Sequence, residues 1–130
     1  MSTATPAPDD AARAIRALEA EFQRLANAGD AAALTAAFYA DDAVVLPPNM
    51  PQVNGKAAIR DFWTAFLATG MSDVVLETGN VSSSGDLVYN IGKYGYTAAG
   101  ARHVGKYLVV YRRQSNGSYR AVADAFNSNE

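Results

Sequence analysis

Apolar residues near the start of the chain recur three or four positions apart, at Ile15, Leu18, Phe22 and Leu25. This spacing places them on one face of an amphipathic helix. Asp9 or Asp10 is suited to cap that helix, because a carboxylate accepts hydrogen bonds from the free N–H groups of the first turn. We predict a flexible N-terminal arm at residues 1–9, followed by a helix that ends at Gly29.

Two shorter helices are predicted next, with a strand between them. Asp30 can cap a second helix that carries Leu34 and Phe38 four positions apart. The run Ala43–Leu46 is typical of a short strand. After the turn signal at Asn54 and Gly55, the segment Lys56–Thr69 has the apolar spacing of a third helix.

The second half of the chain has the pattern of β-structure. Four strands are predicted, at Asp73–Thr78, Leu87–Tyr96, His103–Arg113 and Ser118–Phe126. The segment Ser82–Asp86 is predicted to be a loop. Helices that come first and hairpin-linked strands that follow indicate an α+β fold with a mostly antiparallel sheet, in a single domain at 10–130. Gly92, Gly95 and Gly105 fall inside strands, where we expect bends or bulges rather than ordinary edge positions.

Composition narrows the classes of function. The 130 residues contain 13 acidic and 11 basic side chains, for a net charge of −2, which disfavours a nucleic-acid-binding or polybasic membrane-surface protein. Cysteine is absent and His103 is the one histidine, so we expect no thiolate chemistry, no metal site and no cofactor. No apolar run has the length of a membrane span. The N-terminus lacks the apolar segment of a signal peptide, so a cytoplasmic location is expected.

Three segments together resemble a known family. They are YADDAVVLPP at Tyr39–Pro48, NGKAAIRDFW at Asn54–Trp63, and GKYLVVYRR followed by GSYRAVADAFNSN within Gly105–Asn129. In this order they are similar to the SnoaL-like and ketosteroid-isomerase-like families of the nuclear transport factor 2-like superfamily, closest to the group labelled SgcJ/EcaC-like. The resemblance implies a cystatin-like, cone-shaped α+β barrel, in which three N-terminal helices lie against a strongly bent sheet. It also implies an apolar pocket and a homodimer that pairs through the outer sheet face.

The chain departs from the steroid isomerases of that superfamily at each chemical position. The resemblance places their aspartate base at Pro47, which cannot transfer a proton. Their two oxyanion-binding residues correspond to Phe22 or Gln23 and to Leu108. Steroid isomerisation is therefore not expected.

Asp124 is the predicted catalytic residue. Strand side chains alternate between faces, so Asp124 shares one face with Val122 and Phe126. Apolar neighbours should remove water from the carboxyl group and raise its pKa, which suits general acid/base catalysis. The resemblance to SnoaL-like polyketide cyclases implies the same role for Asp124. The epoxide-hydrolase branch of the superfamily uses an Asp–Arg–Asp relay, and Arg102 with Asp124 leaves a partial version of that relay open. The alternative is a structural Asp124 that only accepts hydrogen bonds.

Other residues are candidates for binding the substrate. Asn90 and Tyr94 share a strand face, and an inward tyrosine would offer an apolar ring with a polar tip. Lys106 and Leu108 share a face of the next strand, and Lys106 could bind an anionic oxygen if that face lines the pocket. Trp63 on the third helix, together with Phe126, would shape the walls; core packing is the alternative for Trp63.

Two further sites are interpreted as non-catalytic. Asp41 and Asp42 are neighbouring acids that we expect to be solvated. His103 begins a strand, where a surface or dimer contact is expected.

These observations predict a pocket protein for a small hydrophobic molecule. The hypothesis is a cofactor-independent enzyme of isomerase or cyclase type, in which Asp124 transfers a proton next to a carbonyl group. The alternative is a non-catalytic ligand-binding or dimerisation module.

Overall fold

The computed structural model describes the backbone of residues 8–130 and the side chains of residues 10–130. The helices are α1 (Pro8–Asn27), α2 (Ala31–Phe38) and α3 (Lys56–Leu67). The strands are β1 (Tyr39–Leu46), β2 (Val53–Asn54), β3 (Ser72–Ser84), β4 (Leu87–Ala98), β5 (Ala101–Arg113) and β6 (Tyr119–Ser128). The predicted arm lies outside the described residues up to residue 7, and α1 already begins at Pro8, where proline suits the first helical position.

The junction between α1 and α2 forms as predicted. Gly29 has a φ of 73°, and its N–H donates to the carbonyl oxygen of Ala26 at 3.0 Å. The N–H of Asp30 donates to the carbonyl oxygen of Leu25 at 3.0 Å, which completes a Schellman turn. The Asp30 side chain then accepts from the N–H of Ala33 and caps α2. These contacts turn the chain within a few residues and place α2 beside α1.

The six strands form one open sheet in the order β2-β1-β6-β5-β4-β3. Strands β1 and β6 are parallel, and the other neighbouring pairs are antiparallel. The α+β prediction is confirmed. The predicted strands were too short, above all β1, which starts at Tyr39, and β3, which continues through Ser84. The predicted loop at Ser82–Asp86 is wrong: serines 82 to 84 pair with β4, and a tight turn with Gly85 at a φ of 61° follows.

The core lies between the helices and one face of the sheet. One cluster of buried side chains joins α1, α2 and α3 to the inner residues of β1, β4, β5 and β6. The opposite face of the sheet keeps apolar side chains 42–48% exposed at Tyr89, Ile91, Val104 and Leu108. Among the described residues, no helix combines the length and apolar character needed to cross a membrane.

Glycines inside the strands make room for aromatic rings. Gly92 pairs with Tyr107 and Gly105 pairs with Tyr94 across the β4–β5 ladder. A Cβ atom at either glycine would lie 2.4 Å from the ring of the paired tyrosine. The β4–β5 ladder runs without a shift from Leu87 to Ala98. The β3–β4 ladder has two register shifts, one opposite Gly92 and one next to Gly95, where irregularities were predicted. Gly92 and Gly105 also allow the two tyrosine rings to lie against the neighbouring strand.

Candidate functional site

Asp124 lies in an apolar cavity between the helices and the inner face of the sheet. Asp124 is only 6% exposed. The cavity has a volume of about 60 Å³ and its surface is almost entirely apolar. Aromatic side chains make up much of its wall, among them Phe22, Phe38, Trp63, Phe66, Tyr94 and Phe126. A carboxyl group is therefore placed in surroundings that disfavour its charge.

One oxygen of Asp124 is held and the other faces the cavity. The hydroxyl of Tyr39 donates to Oδ2 at 2.5 Å, and Nε1 of Trp63 donates to the Tyr39 oxygen at 3.1 Å. No side chain or N–H group among the described residues donates to Oδ1 of Asp124. Every fully buried side-chain oxygen or nitrogen of the described residues has a hydrogen-bond partner. Because Oδ1 has none, it is not fully buried and borders open space. A molecule in the cavity can reach this atom.

Burial sets the acidity of Asp124. Loss of hydration raises the pKa of its carboxyl group from 3.8 to about 6, although the Tyr39 hydrogen bond acts in the opposite direction. The nearby Glu19 carboxylate adds a smaller upward shift to this pKa. A group with a pKa near neutrality can both take up and release a proton under physiological conditions.

A second buried carboxylate, Glu19, was not predicted from the sequence. It is 1% exposed on α1, four positions after the buried Ile15 and three before the buried Phe22. It therefore belongs to the apolar stripe, in place of Leu18, which is only half-buried. An acidic residue at helical spacing within an apolar stripe was the signal that sequence reasoning missed.

Glu19 differs from Asp124 in having four donors. Its Oε1 accepts from the hydroxyls of Thr78 at 2.7 Å and Tyr107 at 2.6 Å. Its Oε2 accepts from the amide of Asn90 at 2.6 Å and the hydroxyl of Tyr111 at 2.5 Å. Burial, followed by the charge of Glu19, raises the pKa of both tyrosines, which keeps them protonated as donors. Glu19 thus ties α1 to three strands and leaves Asp124 as the carboxyl group with a free oxygen.

Comparison with protein-family models matches residues 18–122 to the SnoaL-like domain. The chain belongs to the SnoaL-like domain family. A search of curated protein sequences found no match to this SnoaL-like domain.

Solved structures with this fold come from several bacteria. A ketosteroid isomerase-like protein from Erwinia carotovora atroseptica is 21% identical, with a TM-score of 0.79 over 91% of this chain and 95% of that one. An NTF2-like protein with a cystatin-like fold from Novosphingobium aromaticivorans is 23% identical, with a TM-score of 0.76 over 93% and 83%. A nuclear transport factor 2-like superfamily protein from Salmonella enterica is 14% identical, with a TM-score of 0.81 over 95% and 94%. At these identities the likeness shows the fold, and it confirms the predicted cystatin-like architecture.

Several predicted binding residues of the SnoaL-like domain line the cavity. Trp63 and Phe126 pack with nearly parallel rings whose centroids are 6.1 Å apart, and Tyr94 meets Phe126 edge-on at 6.1 Å. Asn90 also points inward, but its amide nitrogen donates to Glu19 and its oxygen accepts from the N–H of Gly79. Asn90 is therefore part of the Glu19 network and does not line the cavity.

Lys106 and Leu108, which were predicted to bind substrate, do not line the cavity. Both side chains point to the outer face of the sheet, where Leu108 is 44% exposed and Nζ of Lys106 donates to the carbonyl oxygen of Ser128 at 3.0 Å. The alternation of β5 instead buries Tyr107, Val109 and Tyr111. Burying these larger residues removes more apolar surface from water, which decides the orientation of the strand.

The face predicted for Val122 is also wrong. A register shift between β5 and β6 lies at the pairs Val110–Ala123 and Tyr111–Ala121. Because of this shift, Ala121 and Asp124 are both buried while Val122 is only half-buried. Simple alternation along β6 therefore fails for Val122 and holds for Asp124 and Phe126.

The remaining polar candidates lie away from Asp124. The guanidinium of Arg102 is exposed and donates to the carbonyl oxygen of Asp73 at 2.7 Å, so it forms no relay with Asp124. Asp41 and Asp42 are exposed as predicted, and they lie in β1. They pair with Lys56 at 3.3 Å and Arg112 at 3.1 Å. His103 is half-buried and stacks on Tyr96 with ring centroids 5.1 Å apart.

Proposed function

We propose that this protein binds a small hydrophobic carbonyl compound in the aromatic cavity and that Asp124 transfers a proton on it. The observation that carries the proposal is the free Oδ1 of a buried aspartate whose other oxygen is fixed by Tyr39. A pKa raised to about 6 matches the requirement for a general base that works near neutral pH. Asp124 would act as the catalytic residue.

The chemistry requires a second group that holds the carbonyl oxygen. Tyr94 and Tyr96 line the cavity, and neither hydroxyl has a hydrogen-bond partner among the described residues. Burial raises the pKa of Tyr94, so its hydroxyl stays protonated and can donate. We assign Tyr94 as the donor to the carbonyl oxygen, with Tyr96 beside it at a ring-centroid distance of 6.2 Å.

The proposed step is proton transfer without a cofactor. Oδ1 of Asp124 takes a proton from the carbon next to the carbonyl group, and the electron pair of that C–H bond moves to form an enol-like intermediate. The intermediate is stabilised by the tyrosine hydroxyl at its oxygen. Return of the proton to another carbon gives isomerisation. Attack of the carbon on a second carbonyl group within the same molecule gives cyclisation, in which the C=O π bond breaks and its oxygen takes the proton back from Asp124.

Steroids do not fit this proposal. A cavity of about 60 Å³ admits a molecule of a few heavy atoms, or one end of a longer molecule. The positions that would serve steroid isomerisation carry Pro47 and Leu108, and Leu108 points away from the cavity. The substrate is therefore a small carbonyl compound, or a longer one that places a narrow carbonyl-bearing end beside Asp124.

A second candidate function is a non-catalytic ligand-binding or dimerisation module. It is favoured by the exposed apolar face that carries Ile91 and Leu108, which are paired across β4 and β5. Exposed apolar patches of this kind mark interaction surfaces. We propose that this face pairs two copies of the chain, as the family resemblance implies.

The two candidates differ in whether the cavity catalyses proton exchange. The experiment follows deuterium incorporation next to the carbonyl group of small linear and cyclic ketones in deuterium oxide by NMR. We expect the wild-type protein to accelerate exchange and Asp124→Asn to lose that acceleration by about a hundredfold or more. Asp42→Asn removes an exposed carboxylate and serves as the matched control, with exchange unchanged. Equal exchange with the wild-type protein and Asp124→Asn across the ketones would leave only the binding module.

A further inference from the structure

The cavity is lined by acidic side chains but, among the described residues, by no basic one. Glu19 and Asp124 are both among its lining residues, and the described residues that line it include no lysine, arginine or histidine. Lys106 points away from the cavity and donates to the C-terminal segment. A ligand that enters therefore meets the free oxygen of Asp124 and no cation, with the hydrogen-bonded Glu19 carboxylate behind it.

Asp124 is also without a cationic partner. None of the ion pairs among the described side chains includes it, and its Oδ2 accepts one hydrogen bond from the neutral Tyr39 hydroxyl. A buried carboxylate is stabilised strongly by an opposite charge and destabilised by a like charge. Its open Oδ1 can accept a hydrogen bond from an N–H group that arrives with a ligand.

The aromatic walls of the cavity also favour a positively charged ligand. Eight of the fifteen lining residues are aromatic, and aromatic rings attract cations that lie over their faces. The other titratable groups close to Asp124 are Glu19 on α1 and the tyrosines Tyr39, Tyr107 and Tyr111, of which none supplies a positive charge.

We propose that this cavity takes small apolar molecules that carry a protonated amine at the end that meets Asp124, and that it rejects molecules that carry a carboxylate or phosphate there. This inference rests on the proposed function only in placing the free oxygen of Asp124 in the cavity. It requires no proton transfer to carbon. Within the proposed reaction, which uses the same oxygen of Asp124, it specifies neutral carbonyl compounds as substrates, makes small ammonium compounds competing ligands and excludes keto acids.

The test uses three probes with the same four-carbon chain: butylamine, which is protonated at neutral pH, butanol and butyrate. Binding is measured from amide and methyl shifts in heteronuclear NMR titrations at about pH 7.5, where Asp124 is mostly ionised. We expect butylammonium to bind at least about fivefold more tightly than butanol. Butyrate should bind more weakly than both. In Asp124→Asn the preference for the amine should disappear.

A measurement on the wild-type protein alone keeps the inference testable if Asp124→Asn does not fold. Saturation with butylammonium should lower the measured pKa of Asp124, because the cation stabilises the carboxylate, whereas butanol should leave it unchanged or raise it. Failure of butylammonium to bind, butyrate binding as tightly as butylammonium, or an amine preference retained in Asp124→Asn would overturn the inference. Ketone exchange that still depends on Asp124 would leave the proposed function standing in each of these cases.

Discussion

The hydroxyl of Tyr39 donates to Oδ2 of Asp124 at 2.5 Å, across the parallel pair of β1 and β6. Tyr39 is the first residue of β1 and is fully buried. Its oxygen accepts from Nε1 of Trp63, so three buried side chains form one chain of hydrogen bonds. These hydrogen bonds fix one oxygen of the Asp124 carboxyl group and leave its other oxygen directed at the cavity. Tyr39 is therefore a positioning residue.

Replacing the Tyr39 hydroxyl should change the acidity of Asp124. In Tyr39→Phe the carboxylate loses its donor while it stays buried, so the pKa of Asp124 should rise by about one unit or more. The measurement is an NMR titration of the Asp124 carboxyl carbon. Tyr111→Phe is the matched control, because it removes an equally buried hydroxyl from Glu19. A Tyr39→Phe variant that titrates like the wild-type protein would show that this hydrogen bond does not set the pKa.

Asp124 should make the stability of the protein depend on pH with an unusual sign. Its carboxyl pKa is raised from 3.8 to about 6 in the folded state, so the folded protein binds this proton more tightly than the unfolded chain does. The contribution is complete below about pH 4 and is lost as the pH rises through about 6, a change of about 3 kcal/mol at most. The free energy of unfolding of the wild-type protein, relative to Asp124→Asn, should therefore fall over this range in denaturant titrations.

The exposed Asp42 provides a control for that trend. The Arg112 hydrogen bond lowers the pKa of Asp42, so Asp42→Asn should give the opposite and smaller dependence. A difference between the wild-type protein and Asp124→Asn that stays constant or grows with pH would be inconsistent with a buried, proton-binding Asp124.

Glu19→Gln should destabilise the protein strongly. The amide NH₂ replaces an oxygen that accepts two hydrogen bonds, so donors from the strands would face another donor in a buried site. We expect a loss of about 2–4 kcal/mol in the free energy of unfolding, measured by chemical denaturation. Glu21→Gln, at a solvent-accessible position of the same helix where Glu21 pairs with Arg24, should leave it almost unchanged. Similar losses in both variants would mean that the Glu19 network is not a structural centre.

We predict that the outer face of the sheet forms a dimer interface and that one charge introduced there separates the two copies. Ile91→Lys places an ammonium group in the middle of the exposed apolar face, next to Leu108. We expect the wild-type protein to sediment as a dimer at micromolar concentration and this variant to sediment as a monomer. Met50→Lys introduces the same charge at an exposed residue outside the strands and should stay dimeric. A monomeric wild-type protein would contradict the pairing.

Local signals in the sequence were enough to predict the architecture. Gly29, Asp30 and the strand turns each act through backbone conformations that depend on a few neighbouring residues. The position of Asp124 between apolar residues also indicated a buried carboxyl group, and its burial follows from the same inner face that holds Phe126.

Residues whose placement depends on contacts distant in the chain were predicted less well. The orientation of β5 depends on which set of side chains packs against α1, and a pattern of alternating residues is compatible with both choices for Lys106 and Tyr107. Tyr39 and Asp124 are 85 positions apart, and Glu19 is 59 to 92 positions from its four donors. Hydrogen bonds of this kind leave no local periodicity. The spacing of Glu19 on α1 indicates its burial, but neither its donors nor the Tyr39 contact can be read from spacing.

The most direct test of the account is the pKa of the Asp124 carboxyl group in the wild-type protein, measured by NMR titration of its side-chain carbon. We predict a value of about 6, because burial in the aromatic cavity opposes ionisation. Assignment follows from the loss of the signal in Asp124→Asn. A value near 3.8, the ordinary value for an aspartate, would contradict the account, since it would mean that water reaches the carboxylate freely.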